Sequence, residues 1–194
     1  MKARTVIFGV AGLIFCQTAA ASTVPVPAAL APIPAFIAVD GATGQVLAAR
    51  RPDLRFVPAS LVKVMTAYTA FEEIAAGRLR PEQAIVVTRQ VHARWAGKGT
   101  SLYLRVGEAV PVDALLHGIT TVSANDGAAV LAQGAAGSIA QWSRLMNANA
   151  RQLGMVNSRF ATPNGWPDNG ATYVTARDLA MLGGFAEQYV HPDP

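Results

Sequence analysis

Ser60 and Lys63 stand three residues apart in the stretch Phe56 to Phe71 (FVPASLVKVMTAYTAF), where Lys63 is the lone charge among apolar and small residues until Glu72. On a helix, side chains at i and i+3 are neighbours. A helix apolar on every side belongs in a core, and a lysine sealed into one is costly unless it is paired or employed. Desolvation disfavours the ammonium and lowers its pKa, so the amine can be neutral and take a proton from a serine hydroxyl. That is a way to activate a serine nucleophile without a histidine. With Leu61 at zero on a helical wheel, Val64, Met65, Tyr68 and Phe71 form one stripe, and Lys63 falls opposite, among Ala67, Ala70 and Ile74. In the first turn, Ser60 would also carry one of the unpaired N–H donors of a helix N-terminus, suited to developing negative charge. The competing reading is a serine cap beside a lysine that snorkels to solvent.

A second constellation is Ser123-Ala124-Asn125. Seven serines and three lysines in 194 residues give about 0.1 accidental Ser-x-x-Lys pairs, and a similar count gives about 0.2 for Ser-x-Asn. Taken alone, Ser123 reads equally well as the N-cap of a helix beginning at Asp126. The two motifs in this order with helix between them are far rarer by accident than either one.

The elements that must position these residues follow from turn chemistry and periodicity. Ala35 to Val39 and Gln45 to Ala49 read as strands joined through the turn Asp40-Gly41-Ala42-Thr43-Gly44. The apolar helix starts near Pro58 or Ala59 and lasts to about Ala76, before Gly77. Ile85 to Thr88 is a further short strand. Pro111 opens a helix containing Val112, Leu115 and Leu116. Helices over Asp126 to Ala136 and Ser138 to Leu153 follow, then a long loop from Thr162 to Gly170. A last helix starts at Thr175, with Asp178 as its capping-box partner. The pattern is two strands followed by mostly helix, in an α/β (α+β) chain.

The chain is long enough for one sizeable core but short for two full domains. With 52% hydrophobic and 14% charged residues it is globular, and its +4 formal charge is scattered rather than clustered, which argues against a nucleic-acid groove. Lys2 and Arg4 precede an apolar run, Thr5 to Phe15, and small residues end at Ala21-Ser22, the pattern of a secretory signal cleaved after Ala21. The run is too short to span a bilayer. The only cysteine, Cys16, lies inside it and follows the bulky Phe15, which disfavours lipid modification. Ser22 to Pro34 holds four prolines and reads as an extended linker. The expected organisation is a signal over 1–21, a linker over 22–34 and a catalytic domain over 35–194.

Pro58-Ala59-Ser60-Leu61-Val62-Lys63-Val64-Met65-Thr66-Ala67, followed by Val122-Ser123-Ala124-Asn125-Asp126, resembles the first two motifs of the serine D-alanyl-D-alanine carboxypeptidases, the low-molecular-mass penicillin-binding proteins. The resemblance continues through Ile37-Ala38-Val39-Asp40 with Thr43-Gly44, Leu153-Gly154-Met155 with Asn157, Thr162-Pro163-Asn164-Gly165, and Thr175-Ala176-Arg177-Asp178-Leu179-Ala180. It runs from Ala35 to about Ala186 and implies a β-lactamase/transpeptidase-like domain. It further implies that Ser60 is the nucleophile, Lys63 the base, Ser123 a proton relay and Asn125 a substrate-backbone holder. The implied partners are peptidoglycan stem peptides ending in D-Ala-D-Ala and β-lactams as covalent inhibitors, with no metal or organic cofactor. An exported, periplasmic location fits, as does peripheral association with the membrane.

One departure stands out. The family's third motif, Lys-Thr-Gly, is not found after the last helix, and Gly97-Lys98-Gly99-Thr100 has the wrong order and the wrong place. The resemblance then implies that the C-terminal sheet strands are missing, with the second oxyanion N–H. A catalytically dead remnant that at best binds peptidoglycan or β-lactams is the alternative reading. A β-lactamase is disfavoured: fast deacylation needs a carboxylate base, and no glutamate lies between Glu108 and Glu187.

Overall fold

The computed structural model describes residue 26 and residues 28–190, with side chains up to residue 184. The proposed signal, with Cys16, and the start of the linker lie outside the described residues. Two two-stranded antiparallel sheets and six helices make up most of the described chain. The order is β1 (Phe36–Val39), β2 (Val46–Arg50), α1 (Val62–Ala75), β3 (Ala84–Val86), α2 (Arg89–Trp95), β4 (Ala109–Pro111), α3 (Val112–Thr121), α4 (Asn125–Ala136), α5 (Ile139–Gln152) and α6 (Ala176–Val190). Among the described residues no helix is long and apolar enough to cross a membrane.

The β1–β2 turn forms for the expected reason. Asp40 Oδ1 accepts hydrogen bonds from the Ala42 and Thr43 N–H groups and from Thr43 Oγ1, at 3.1, 2.8 and 2.8 Å. Gly44 supplies the left-handed residue that closes it (φ +70°). The linker is less extended than expected. Ala28–Leu30 forms a 3-10 turn, and one guanidinium nitrogen of Arg50 donates to the carbonyls of Leu30, Ala31 and Ile33 at 3.0, 2.6 and 3.3 Å.

The core lies between α1, α3, α4 and α5. α4 is its axis: Ala128, Ala129, Val130, Leu131 and Ala132 are all buried, and the alanines let neighbouring helices approach closely. Trp142, Met146, Phe160, Met65, Leu115 and Ile119 fill the space around them. Thr88 and Ser138 cap α2 and α5 by accepting from the N–H groups of Val91 and Gln141 at 3.2 and 3.1 Å.

Three expectations need correction. α2 and β4 were not foreseen. α2 is seven residues long and buries only Val91 and Trp95, too few for a periodic pattern, and β4 offers a single buried residue, Val110, paired with Ile85. The stripe on α1 is also different: Leu61 and Val64 are 49% and 39% exposed, whereas Lys63 is 4% exposed. The helix turns its lysine inward because the amine has polar partners there, and it leaves two apolar residues beside Ser60 at the surface. Finally, the capping box on α6 is half formed. Thr175 Oγ1 accepts from the Asp178 N–H at 3.1 Å, but the Asp178 carboxylate turns away to accept from the Asn157 N–H and Ser158 Oγ at 3.0 and 2.7 Å.

α4 seats on β3 at Gly134, where an added Cβ would lie 2.2 Å from Cγ2 of Ile85. That methyl group belongs to a β-branched side chain that is stiff at χ1. Gly134→Ala is therefore expected to destabilise the fold by about 1–2 kcal/mol from overpacking, although alanine in a helix interior is favoured by about 1 kcal/mol. In an Ile85→Ala background the same change should become neutral or stabilising. Denaturant unfolding of the four chains checks the reversal of sign.

Candidate active site

The segment entering α1 is held from both sides before the site begins. The Phe56 N–H donates to Val174 O at 2.9 Å and the Val174 N–H donates back to Phe56 O at 3.0 Å. Arg177 forks onto Asp53 at 2.8 and 3.1 Å. The chain then turns through Ala59, whose φ of +49° is left-handed for a residue with a Cβ, into a 3-10 turn over Ala59–Leu61 and on into α1. Backbone strain at a non-glycine residue next to an exposed serine marks a position held by its surroundings.

What holds it is the loop 162–166. Gly165 (φ +74°) packs so closely that an added Cβ would lie 1.8 Å from the Ala59 carbonyl oxygen. Thr66 Oγ1, one turn into α1, donates to Pro163 O at 2.6 Å. Between these contacts, Lys63 Nζ donates to Asn164 O at 2.9 Å and to Ser60 Oγ at 3.1 Å. The Lys63 pKa falls from 10.5 to about 8, and desolvation by burial is the cause. The charged amine therefore opposes folding below about pH 8, and that penalty is relieved as pH rises from about 8 toward 10.5.

The cap-and-snorkel reading of Ser60 and Lys63 does not fit this geometry. Neither the 3-10 turn nor α1 has a side-chain cap; their N-cap positions are Pro58 and Leu61. Lys63 ends in the interior. Ser123 is no cap either: α4 begins at Asn125 with Ala124 at the N-cap position and no side-chain cap bond. Ser123 is instead half-buried in the α3–α4 connection with φ +59°. Among the described residues no hydrogen bond joins its hydroxyl to Ser60 or Lys63.

Asn125 is buried at the start of α4. Its N–H donates to Thr100 O at 2.8 Å and its Nδ2 to Lys98 O at 3.0 Å. The next residue, Asp126, fixes the loop that supplies those carbonyls. Its carboxylate accepts from Ser101 Oγ at 2.6 Å and from the N–H groups of Leu102 and Leu104 at 2.9 and 3.3 Å. The two motifs meet through Asn164, 1% exposed. Its Nδ2 donates to Asn125 O at 3.3 Å, while its own carbonyl holds Lys63. Trp166 lies beyond it, edge-on to Trp95 with ring centroids 6.1 Å apart. Sequence reasoning singled out Ser60, Lys63, Ser123 and Asn125 but gave Asn164 and Gly165 no place in the site. Asn164 acts on the lysine through a main-chain carbonyl, which leaves no mark on residue type. The Asn-Gly pair was a turn signal that gave no hint of what the turn would touch. Among the described residues no three His, Cys, Asp or Glu side chains cluster so as to hold a metal ion.

A serine hydrogen-bonded to a desolvated lysine, on a helical framework that brings a Ser-x-Asn segment to the same loop, is the arrangement of the transpeptidase-like serine enzymes, and the fold is theirs. The D-alanyl-D-alanine carboxypeptidase DacD from Francisella tularensis superposes with a TM-score of 0.75 at 35% identity, over 82% of this chain and 38% of that one. Penicillin binding protein 5 from Haemophilus influenzae does so with a TM-score of 0.76 at 29% identity, over 81% and 45%. The chain belongs to the D-alanyl-D-alanine carboxypeptidase family, peptidase S11, whose model matches residues 22–193. D-alanyl-D-alanine carboxypeptidase DacA of Escherichia coli strain K12 is 36% identical over 154 residues, 76% of this chain and 37% of the relative. The chain thus spans less than half the length of such curated relatives.

The approach of Gly165 to Ala59 gives a matched test. Gly165 and Gly170 both have left-handed backbones (φ +74° and +80°), but an added Cβ at Gly170 meets nothing within 4 Å. Gly170→Ala should show only the backbone cost of about 1 kcal/mol. Gly165→Ala should be destabilising by clearly more, about 3 kcal/mol, since the Ala59 carbonyl oxygen that it would meet is backbone and cannot rotate away. Comparing unfolding midpoints of the two variants checks this, and equal losses would contradict the close approach.

Proposed function

We propose that this chain supplies the nucleophile of a serine-type D-Ala-D-Ala carboxypeptidase acting on peptidoglycan stem peptides. The observation that carries the reading is the Lys63 amine, buried, depressed to about 8 and 3.1 Å from Ser60 Oγ. In this reading the neutral amine takes the Ser60 proton as Oγ attacks the carbonyl of the penultimate D-alanine. The Ser60 N–H, at the helix start, faces the oxyanion that forms. Collapse of the tetrahedral species expels the terminal D-alanine as its amine, to which Ser123 relays the proton held by Lys63, and Asn125 holds the peptide backbone. Water then attacks the Ser60 ester and frees a stem peptide shorter by one residue. A β-lactam, which mimics the D-Ala-D-Ala terminus, would acylate the same oxygen by opening its ring.

The domain assignment follows from the same reading: a signal over 1–21, a linker over 22–34 and a catalytic domain over 35–194. The substrate is a cell-wall peptide outside the cytoplasmic membrane. The basic and then apolar N-terminal sequence supports export to the periplasm, or to the outer face of that membrane with peripheral attachment.

A fluorescent penicillin should label Ser60 covalently, and Ser60→Ala should abolish the label in peptide mapping by mass spectrometry; a label that persists on the variant rules the nucleophile out. Lys63→Arg should be as damaging as Lys63→Ala, because a guanidinium stays protonated and cannot serve as a base. In the unaltered chain the acylation rate should rise about ten-fold per pH unit at low pH and level off above about pH 8. A flat profile between pH 6 and 9 would contradict the base role.

A further inference from the structure

Asn164 has no part in the acyl-transfer scheme above, yet its environment is the most constrained at the site. Three of its contacts run to different places. Its carbonyl accepts from Lys63 Nζ at 2.9 Å, and its Nδ2 donates to Asn125 O at 3.3 Å. Its Oδ1 accepts from the Trp166 N–H at 3.1 Å. The residue after it, Gly165, lies against the Ala59 carbonyl, directly before Ser60. Asn164 is therefore joined to the Ser60 turn, the lysine and the Ser-x-Asn segment at once.

We propose that Asn164 is a positioning residue: its main-chain carbonyl holds one N–H of the Lys63 amine so that the nitrogen lone pair faces Ser60, and its side chain ties that carbonyl to Asn125. The proposal rests on the Ser60–Lys63 reading given under Proposed function.

The hydrogen-bond inventory of the amine explains why such a partner is needed. A neutral lysine amine has two N–H donors and one lone pair. A free amine rotates about its last bond and presents any of the three to a neighbour. A carbonyl oxygen has only lone pairs to offer, so the contact with Asn164 O always uses an N–H and never competes for the lone pair. With that N–H committed, the Ser60 hydroxyl can donate to the nitrogen, which is the direction of proton transfer. Asn164 O can hold the amine only if its own peptide is held. The two side-chain bonds hold it from one side and the Gly165–Ala59 contact from the other. A side chain without an amide would lose both bonds and free the peptide to tilt.

Charged neighbours do not offer another way to fix the amine. Asp113 and His117 on α3, Asp126 on α4, Arg144 and Arg151 on α5 and Arg177 and Asp178 on α6 belong to the elements packed on α1. None of them contributes to the Lys63 shift, which comes from desolvation alone. Asp126 and Asp178 are committed to hydrogen bonds with Ser101 and Leu102 and with Asn157 and Ser158.

The test compares the unaltered chain with Asn164→Ala and Asn164→Asp. Asn164→Ala removes both side-chain bonds. Asn164→Asp keeps the size and the acceptor for Trp166 but replaces the donor to Asn125. Two readouts are taken on chains that melt cooperatively: the rate of Ser60 acylation by a fluorescent penicillin, and competitive labelling of lysine amines by acetic anhydride from pH 6 to 11, read residue by residue with Lys98 as internal standard. In Asn164→Ala, acylation should slow by about 10²-fold, the usual consequence of a misplaced catalytic group, including at alkaline pH where the amine is neutral. Lys63 should become more reactive relative to Lys98 as the amine is released. In Asn164→Asp the labelling midpoint of Lys63 should move to higher pH, because a carboxylate beside the amine favours the ammonium. Should Asn164→Ala fail to melt cooperatively, the Asn164→Asp midpoint decides alone. Variants that acylate at the unaltered rate with unchanged Lys63 labelling overturn the proposal and leave the Ser60 nucleophile standing. If instead no chain is acylated but Lys63 labelling responds as expected, the positioning role stands and the carboxypeptidase reading fails.

Discussion

A lysine amine removed from water is the constraint on which the rest of this site depends. Among the described residues no charged group pairs with Lys63, and its amine is held by a serine hydroxyl and a peptide carbonyl, at 3.1 and 2.9 Å. In water the ammonium would be the stable form by several pH units, so the fold carries a standing penalty at neutral pH. Natural sequences violate their own local rules mostly at functional sites, and an uncompensated buried lysine next to an exposed serine is such a violation.

Much of the surrounding architecture can be understood as the means of holding that amine. The loop 162–166 grips the start of α1 at three points: Ala59 through Gly165, Lys63 through Asn164 and Thr66 through Pro163. Two of these use main-chain carbonyls, rigid acceptors whose positions follow from the backbone rather than from a rotamer. The strained backbone at Ala59 is sustained by the same contact with Gly165. On the other side, α4 carries Asn125 into the site, and its small-residue faces bring α4 close enough to α2, α3 and α5 for that to happen. Asp126 then sets the loop on which Asn125 leans.

The fold was partly legible in the sequence. Helices α1 and α3 to α6 were announced by their apolar and small-residue runs and by boundary residues such as Gly77, Pro111 and Thr175, because each buries enough apolar residues to leave a pattern. α2 and the β3–β4 pairing were not, since one or two buried residues apiece are all that their lengths allow. The site divided in the same way. Ser60 and Lys63 could be read because helix geometry brings i and i+3 together whatever else happens. Asn164 could not be, being 101 residues from Lys63 in sequence and acting through its main chain. The exposure of Leu61 and Val64 ran against the pattern for a related reason: an apolar wheel records which residues prefer burial, but at this turn the inward direction is set by the partners of the lysine.

The most direct measurement is the titration of the Lys63 amine itself. With only Lys2, Lys63 and Lys98 in the sequence, carbon-13 labelling at lysine Cε gives at most three resonances to follow from pH 6 to 12. One should titrate with a midpoint of about 8 and revert to the ordinary value of 10.5 on unfolding in denaturant. All resonances titrating near 10.5 in the folded chain would contradict the account, because a solvated, protonated lysine could not be the base that activates Ser60.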